Sequence, residues 1–198
     1  MSDSERYRAA TEAFMAIHRE DPRLVDHGGQ RVPRSVPYHE HLVAWVARLA
    51  PEASEAVCLA AHAQHLRRWA IPRADYPMDR TGYKRWRSAL ARRHADEAGE
   101  VLRGVGYDED TIARVQDLLV KKRLKSDPQT QLLEDAVCLT FLELEYVDFA
   151  GSHEPQKVIS ILRKTWDKMS AAGHAEALKL AGQLPGDARA LVEQALAP

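Results

Sequence analysis

The chain has 198 residues, 45% of them hydrophobic, which is enough to bury one sizeable core and makes a single domain the default. Its 28 Lys and Arg against 29 Asp and Glu leave a formal charge of -1, which excludes a global pull toward nucleic acid or an anionic membrane, so any basic site must be local. No stretch approaches the roughly 18 apolar residues of a membrane span, the first twenty residues carry charges throughout with no apolar leader-like run, and a cytoplasmic protein with no membrane partner is expected.

Apolar residues recurring every three to four positions predict helices and no convincing strand. The first helix covers about Ser4 to Glu20, with Tyr7, Ala10, Phe14 and Ile17 on one face. An irregular stretch with Gly28, Gly29 and Pro33 follows, and Pro37 suits the first turn of a second helix that reaches about Ala50. Pro51 opens a third, expected to run to about Trp69. After a loop containing Pro72 and Pro77, Asp79 or Thr81 caps a long fourth helix that ends near Gly104 and Gly106. Asp108 caps a fifth that ends in Lys121, Lys122 and Arg123. Asp127 followed by Pro128 starts a sixth, the most hydrophobic, which reaches about Phe149, and three shorter helices fill Glu154 to Ala197. The expected architecture is all-α: one compact bundle of eight or nine helices spanning residues 1–198, with a core at about 5–150 and C-terminal helices at 154–197. Cys58 and Cys138, within AVCLAA and AVCLTF, read as reduced core residues.

Four ionisable residues interrupt apolar stripes, each on a different helix. His39 shares a face with Leu42, Val43 and Val46, and His65 continues one made by Cys58, Ala61, His62 and Trp69. His94 sits between Leu90, Ala91, Ala98 and Val101, while Asp135 is flanked by Leu132, Leu139 and Leu142. A histidine on an apolar face is more often a satisfied core residue than a ligand, but an inward carboxylate demands a partner or a metal. Three imidazoles and one carboxylate would together suit zinc, iron, manganese or nickel, with a position left for an activated water. His62 and Glu134 are alternative ligands or supports. His18, His27, His41, His153 and His174 read as surface residues in polar contexts.

Around this set, Arg67 and Arg68 follow His65, and YPMDRTGYKRWR supplies Tyr76, Arg80 and Tyr83. Guanidinium groups bind phosphate bidentately, so these residues and Lys122 are candidates to hold a phosphorylated substrate. Arg68, three residues after His65, is better placed on a helix than Arg67. The competing reading makes Arg67, Arg68 and the basic run at residues 121–123 favourable charges at helix C-termini. In RKTWDKMS, Lys164 and Lys168 share a face that Trp166 does not.

The order of these residues, with LEDAVCLTFLE late in the chain, resembles the HD-domain metal-dependent phosphohydrolase superfamily. That resemblance implies an all-helical fold, a divalent transition metal near His39, His65, His94 and Asp135, and hydrolysis of a nucleotide or other phosphorylated small molecule. The usual His-Asp pair is absent, because Leu66 follows His65. More narrowly, AQHLRRWAIPR, YPMDRTGYKRWR, ARRHADEAGEVL, RVQDLLVKKRLKSD and ILRKTWDKMS look like a widespread family known only as a domain of unknown function, over about residues 5–180. The alternative to catalysis is a binding module for a nucleotide, RNA or protein, in which the histidine cluster is structural. Iron-dependent oxygenation would use the same ligand set, and no catalytic acid or base is assignable from spacing.

Overall fold

The computed structural model describes residues 2–197. Among them are ten α-helices and one hairpin: α1 (Asp3–His18), β1 (Leu24–His27), β2 (Gln30–Pro33), α2 (Ser35–Leu49), α3 (Glu55–Ala63), α4 (Arg80–Gly104), α5 (Glu109–Leu119), α6 (Pro128–Leu144), α7 (Tyr146–Gly151), α8 (Pro155–Trp166), α9 (Ala171–Ala181) and α10 (Gly186–Leu196). The all-helical expectation holds, and none of these helices is long and apolar enough to cross a membrane.

Side-chain caps fix most of the helix starts. Ser2 and Glu5 form a capping box at α1, and Ser54, Asp79, Asp108, Asp127 and Ser170 each accept from a backbone N–H in the following turn. Of the two candidates before α4, Asp79 is the cap, accepting from Gly82 N at 2.6 Å. A Cβ at Gly82 would lie 2.0 Å from the Pro77 carbonyl oxygen, so only glycine lets the preceding loop pass this close.

Three departures from the sequence reading have physical causes. Gly28 and Gly29, with φ of +61° and +77°, form a two-residue turn that pairs Leu24 with Pro33 and His27 with Gln30 in antiparallel register, where no strand was expected. The expected third helix is shorter, because Gln64 turns to extended backbone and His65 and Arg67 are left-handed. The sixth breaks at Glu145, so the helices number ten rather than eight or nine.

A single core runs through the chain, with Phe14, Leu42, Leu59, Leu66, Leu102, Ile112, Leu118 and Leu139 fully enclosed. The α2 helix lies chiefly against α6, and α4 against α5, while α8 and α10 pack together at the C-terminal end. Tyr146 ties the two regions, its hydroxyl donating to the Ala188 carbonyl at 2.8 Å from a fully buried position. Burying each of these leucines contributes roughly 1.5–3 kcal/mol, which holds the ends of α1, α2 and α3 and the middle of α4 against one another. Cys58 and Cys138 are both free thiols.

Candidate functional site

The early end of α3 builds the site. A left-handed residue with a Cβ costs roughly 1–2 kcal/mol, and two of them close together mark a bend that packing has to impose. The bend sends Leu66 into the core, turns the Gln64 carbonyl toward α2 and brings the His65 ring toward α4.

A continuous run of rings results. His18, at the end of α1, stacks on His39 with ring centroids 3.4 Å apart; Tyr38 lies 5.2 Å from His39 and 5.3 Å from His65; and His65 meets His94 edge to face at 5.6 Å. His18, His39 and His94 are buried, and His65 retains some exposure. His18 therefore does not lie on the surface, because α1 ends against the end of α3, and its Nε2 sits 2.8 Å from the His62 carbonyl oxygen.

Burial dominates the electrostatics here. It pushes His39 down to about 4 and, aided by His39, His18 down to about 2. Burial and then the Arg68 charge push His94 down to about 3 and hold His65 well below its ordinary value, with Arg87 also acting on both. These imidazoles are neutral at pH 7. Both ring nitrogens of His39 face carbonyl oxygens, Nδ1 that of Ser35 at 2.5 Å and Nε2 that of Gln64, whereas a neutral ring donates only once. His18 Nδ1, His94 Nε2 and Gln64 Oε1 are buried without a hydrogen-bond partner.

Positive charge gathers beside the rings. Arg68 lies over the Trp86 ring at 5.0 Å, and burial, followed by repulsion from Arg87, lowers its guanidinium. Neither Arg68 nor Arg87 forms a salt bridge among the described residues, although arginines nearby are paired, Arg93 with Glu97 and Arg34 with Glu145. Glu134, buried on α6, accepts a hydrogen bond from Lys121 and has Lys168 Nζ 3.8 Å away. Burial alone would raise its carboxyl, but Lys121, then Lys168 and Arg87, hold it below the ordinary carboxylate range.

The four proposed metal ligands do not come together in this arrangement. Asp135 is buried as expected, but its carboxylate accepts from Ser170 N at 2.9 Å, Ser170 Oγ at 2.5 Å and Gln131 Nε2 at 3.0 Å, at the start of α9 rather than among the histidines. Both ring nitrogens of His39 are turned to carbonyl oxygens, one of them donating, and His62 offers its carbonyl to His18 while its ring meets Tyr7 edge to face. Glu134 serves Lys121. Among the described residues no group of three or more His, Cys, Asp or Glu side chains has the geometry to hold a metal ion. The donor set as folded does not fit a metal of the kind the HD-domain resemblance implies.

The substrate candidates also divide. Arg68 belongs to the site, but Arg67 is paired with Glu20 at 2.8 Å and faces Glu97 at 3.5 Å, while Lys122 is paired with Asp117 at 2.9 Å. Arg80 is exposed at the first turn of α4, Tyr76 lies in a short turn where its carbonyl accepts from Arg73, and Tyr83 is half-exposed, 5.9 Å from Trp86. Sequence reasoning missed Tyr38, Arg87, Lys121 and the site role of Lys168. Arg87 was findable, since it lies two helical turns before His94 on the same face of α4. Lys121 was not, because its left-handed backbone (φ 58°) departs from the helix that sequence continues.

The sequence matches the family described as Domain of unknown function (DUF4202) over residues 8–192. The chain belongs to that family. No curated protein and no solved structure matches it. The matched span of the DUF4202 domain takes in every residue of the ring run and of the basic cluster, from His18 to Lys168.

Proposed function

We propose that this DUF4202 domain binds a phosphorylated small molecule, with the phosphoryl group seated between Arg68 and Arg87 and beside His65 and His94. One observation carries the reading: the Arg68 guanidinium lies largely out of water over Trp86, burial and then the Arg87 charge lower its proton affinity, and neither arginine forms a salt bridge among the described residues. Charges taken from water stay unpaired only at a large cost, so such a pair is built for an anion that arrives from outside. Phosphate matches it by accepting bidentate hydrogen bonds from each planar fork.

The resemblance to HD-domain phosphohydrolases suggests hydrolysis as the chemistry. No step is assigned to a metal, because the donors do not fit one. His94 Nε2, buried and unpartnered beside the arginines, is the group able to take or give a proton. An arriving anion offsets the Arg68 and Arg87 charges that help push this imidazole down, so binding brings His94 closer to the range in which a base is useful. The non-catalytic reading draws on the absent His-Asp pair and on His39, whose ring nitrogens already face carbonyls.

Calorimetric titration with inorganic phosphate tests the binding. Wild-type protein should bind one phosphate, and Arg68→Met or Arg87→Met should weaken it about tenfold or more, the worth of one charge-assisted contact. Unchanged affinity in both variants would sink the proposal. Elemental analysis of protein prepared without chelators or a histidine tag addresses the metal. One bound ion per chain would require His39 and Asp135 to leave the partners described above.

A further inference from the structure

The first half of α4 carries an uncovered run of positive charge. Residues 80–93, RTGYKRWRSALARR, hold six of the chain's 28 Lys and Arg and no Asp or Glu, so against a total of -1 the rest of the chain carries -7. Arg80, Lys84, Ser88 and Arg92 recur every four residues and form one row along the helix, successive members about 6 Å apart along its axis, with Arg85 beside them. All five are exposed. Arg80, Lys84, Arg85 and Arg92 form no salt bridge among the described residues, whereas Arg93, on the inner side of the helix, is paired with Glu97. The nearby carboxylates are placed elsewhere. Asp79 caps the helix on Gly82 N, Glu97 serves Arg93 and faces Arg67, Asp75 precedes the row in the loop, and Asp96 ends it one turn beyond Arg92.

Such a row costs the isolated protein stability. Arg80 and Lys84 repel one another at i,i+4, and cations in the opening turns oppose the helix dipole, with no acidic residue in the first turn of α4 to offset them. Beside the row stands a ring. Tyr83 is 48% exposed, its centroid 5.9 Å from that of Trp86 and 6.0 Å from Arg73 Cζ. Its mount is rigid: Arg73 donates to the Tyr76 and Pro77 carbonyls at 2.8 and 2.7 Å, Trp86 Nε1 donates to the Ile71 carbonyl at 2.9 Å, and Gly82 lets the loop press against α4. From this row of unpaired cations and the fixed, half-open ring at its edge, we propose that the exposed face of α4, from Arg80 to Arg92, binds single-stranded nucleic acid. The cations follow the phosphodiester backbone while an unpaired base stacks on Tyr83, and guanidinium forks suit the phosphates. A duplex keeps its bases stacked inside and offers none to the ring. A membrane surface would need an apolar helix face, which α4 buries through Trp86, Leu90 and Ala98. This surface does not rest on the phosphoryl seat, to which none of Arg80, Lys84, Arg85 and Arg92 belongs.

The test is fluorescence anisotropy of a labelled oligouridylate titrated with the full chain over a series of salt concentrations. Wild-type protein should bind, with log affinity falling against log salt at a slope of about -3, the value for four phosphates neutralised on a single strand. Lys84→Gln and Arg92→Gln should each make the slope shallower by about 0.7, and Tyr83→Ala should weaken binding about tenfold with the slope unchanged, because stacking releases no counterion. Lys157→Gln removes the same charge from an exposed position on α8 and should change neither quantity. All four side chains are exposed, so the substitutions leave the core intact. Absence of binding at low salt, a wild-type slope in both row variants, or an equal loss in Lys157→Gln overturns the surface. Duplex RNA bound as tightly as the single strand, or a Tyr83→Ala variant that binds like wild type, overturns the single-strand assignment. Vesicles containing phosphatidylserine are the last probe, and binding to them in place of the oligonucleotide would give the row to a membrane and overturn the proposal. The phosphate titration above reads the Arg68–Arg87 seat separately.

Discussion

Asp135 carries its hydrogen bonds onto a residue 35 positions further along the chain, where Ser170 begins α9. The carboxylate sits over the first turn of that helix, where backbone N–H groups and the helix dipole favour negative charge. Gly173 makes the approach possible, since a Cβ there would lie 2.7 Å from Asp135 Oδ1. This accounts for an inward Asp without a metal, so Asp135→Ala should cost about 2–4 kcal/mol through the lost charged hydrogen bonds while phosphate binding persists. Urea melts and phosphate titration of the same variant check both halves. A variant that melts like wild type but loses ligand or metal would return Asp135 to the functional set. The inward position was legible from Leu132, Leu139 and Leu142, but the partner was not, because nothing local in the sequence couples α6 to a serine so far away.

Among the elements, helices with a capping residue and an apolar stripe were readable to within a turn. The α4 helix starts after Asp79 and ends at Gly104, and α6 starts at Asp127-Pro128, because both caps and stripes are local chemistry. The end of α3 was not readable, since AQHLRRW contains neither glycine nor proline and only packing on α2 and α4 forces Gln64, His65 and Arg67 out of the helix. The same misfit recurs at Lys121 and Arg123, where good helix formers take left-handed backbone. Arg123 is exposed and its side chain makes no salt bridge among the described residues, so its strain can be removed without touching the site. Arg123→Gly should therefore stabilise the protein by roughly 0.5–1 kcal/mol, about 2–4 °C in melting temperature for each kcal/mol at this length. Arg123→Ala, which keeps a Cβ in the same backbone, should bring no gain. An unchanged or lower melting temperature for the glycine variant would mean that the segment is not strained.

At the scale of the whole molecule, the ring run makes folding sensitive to mild acid. His18, His39 and His94 sit at about 2, 4 and 3 in the folded chain, against an ordinary value of 6.5, and burial is the first cause for each. Because the folded values lie below the unfolded one, the unfolded chain takes up these protons first. The stability associated with neutral rings is thus fully present above pH 6.5 and is lost as pH falls through 6.5 toward 4, where His39 begins to charge in the folded state as well. Each group removes about 1.4 kcal/mol per pH unit in that window, so three together approach 4 kcal/mol per unit, a large share of the 5–15 kcal/mol by which a domain is stable. Carboxylates add little there, since ordinary ones titrate near 4 and Glu134 is held lower still, whereas His65 and His62, both lowered by burial, add to the same loss. Urea unfolding between pH 7 and 5 should show midpoints that fall steeply, with a slope equivalent to three protons or more, since His65 adds to the other three rings. His18→Gln, which removes one of the three rings and retains an amide that can donate toward the His62 carbonyl, should lower that slope by about one proton. Stability that is flat from pH 6.5 to 5.5 would mean that these rings are hydrated or charged in the folded protein, and would remove the neutral imidazoles on which the His94 role depends.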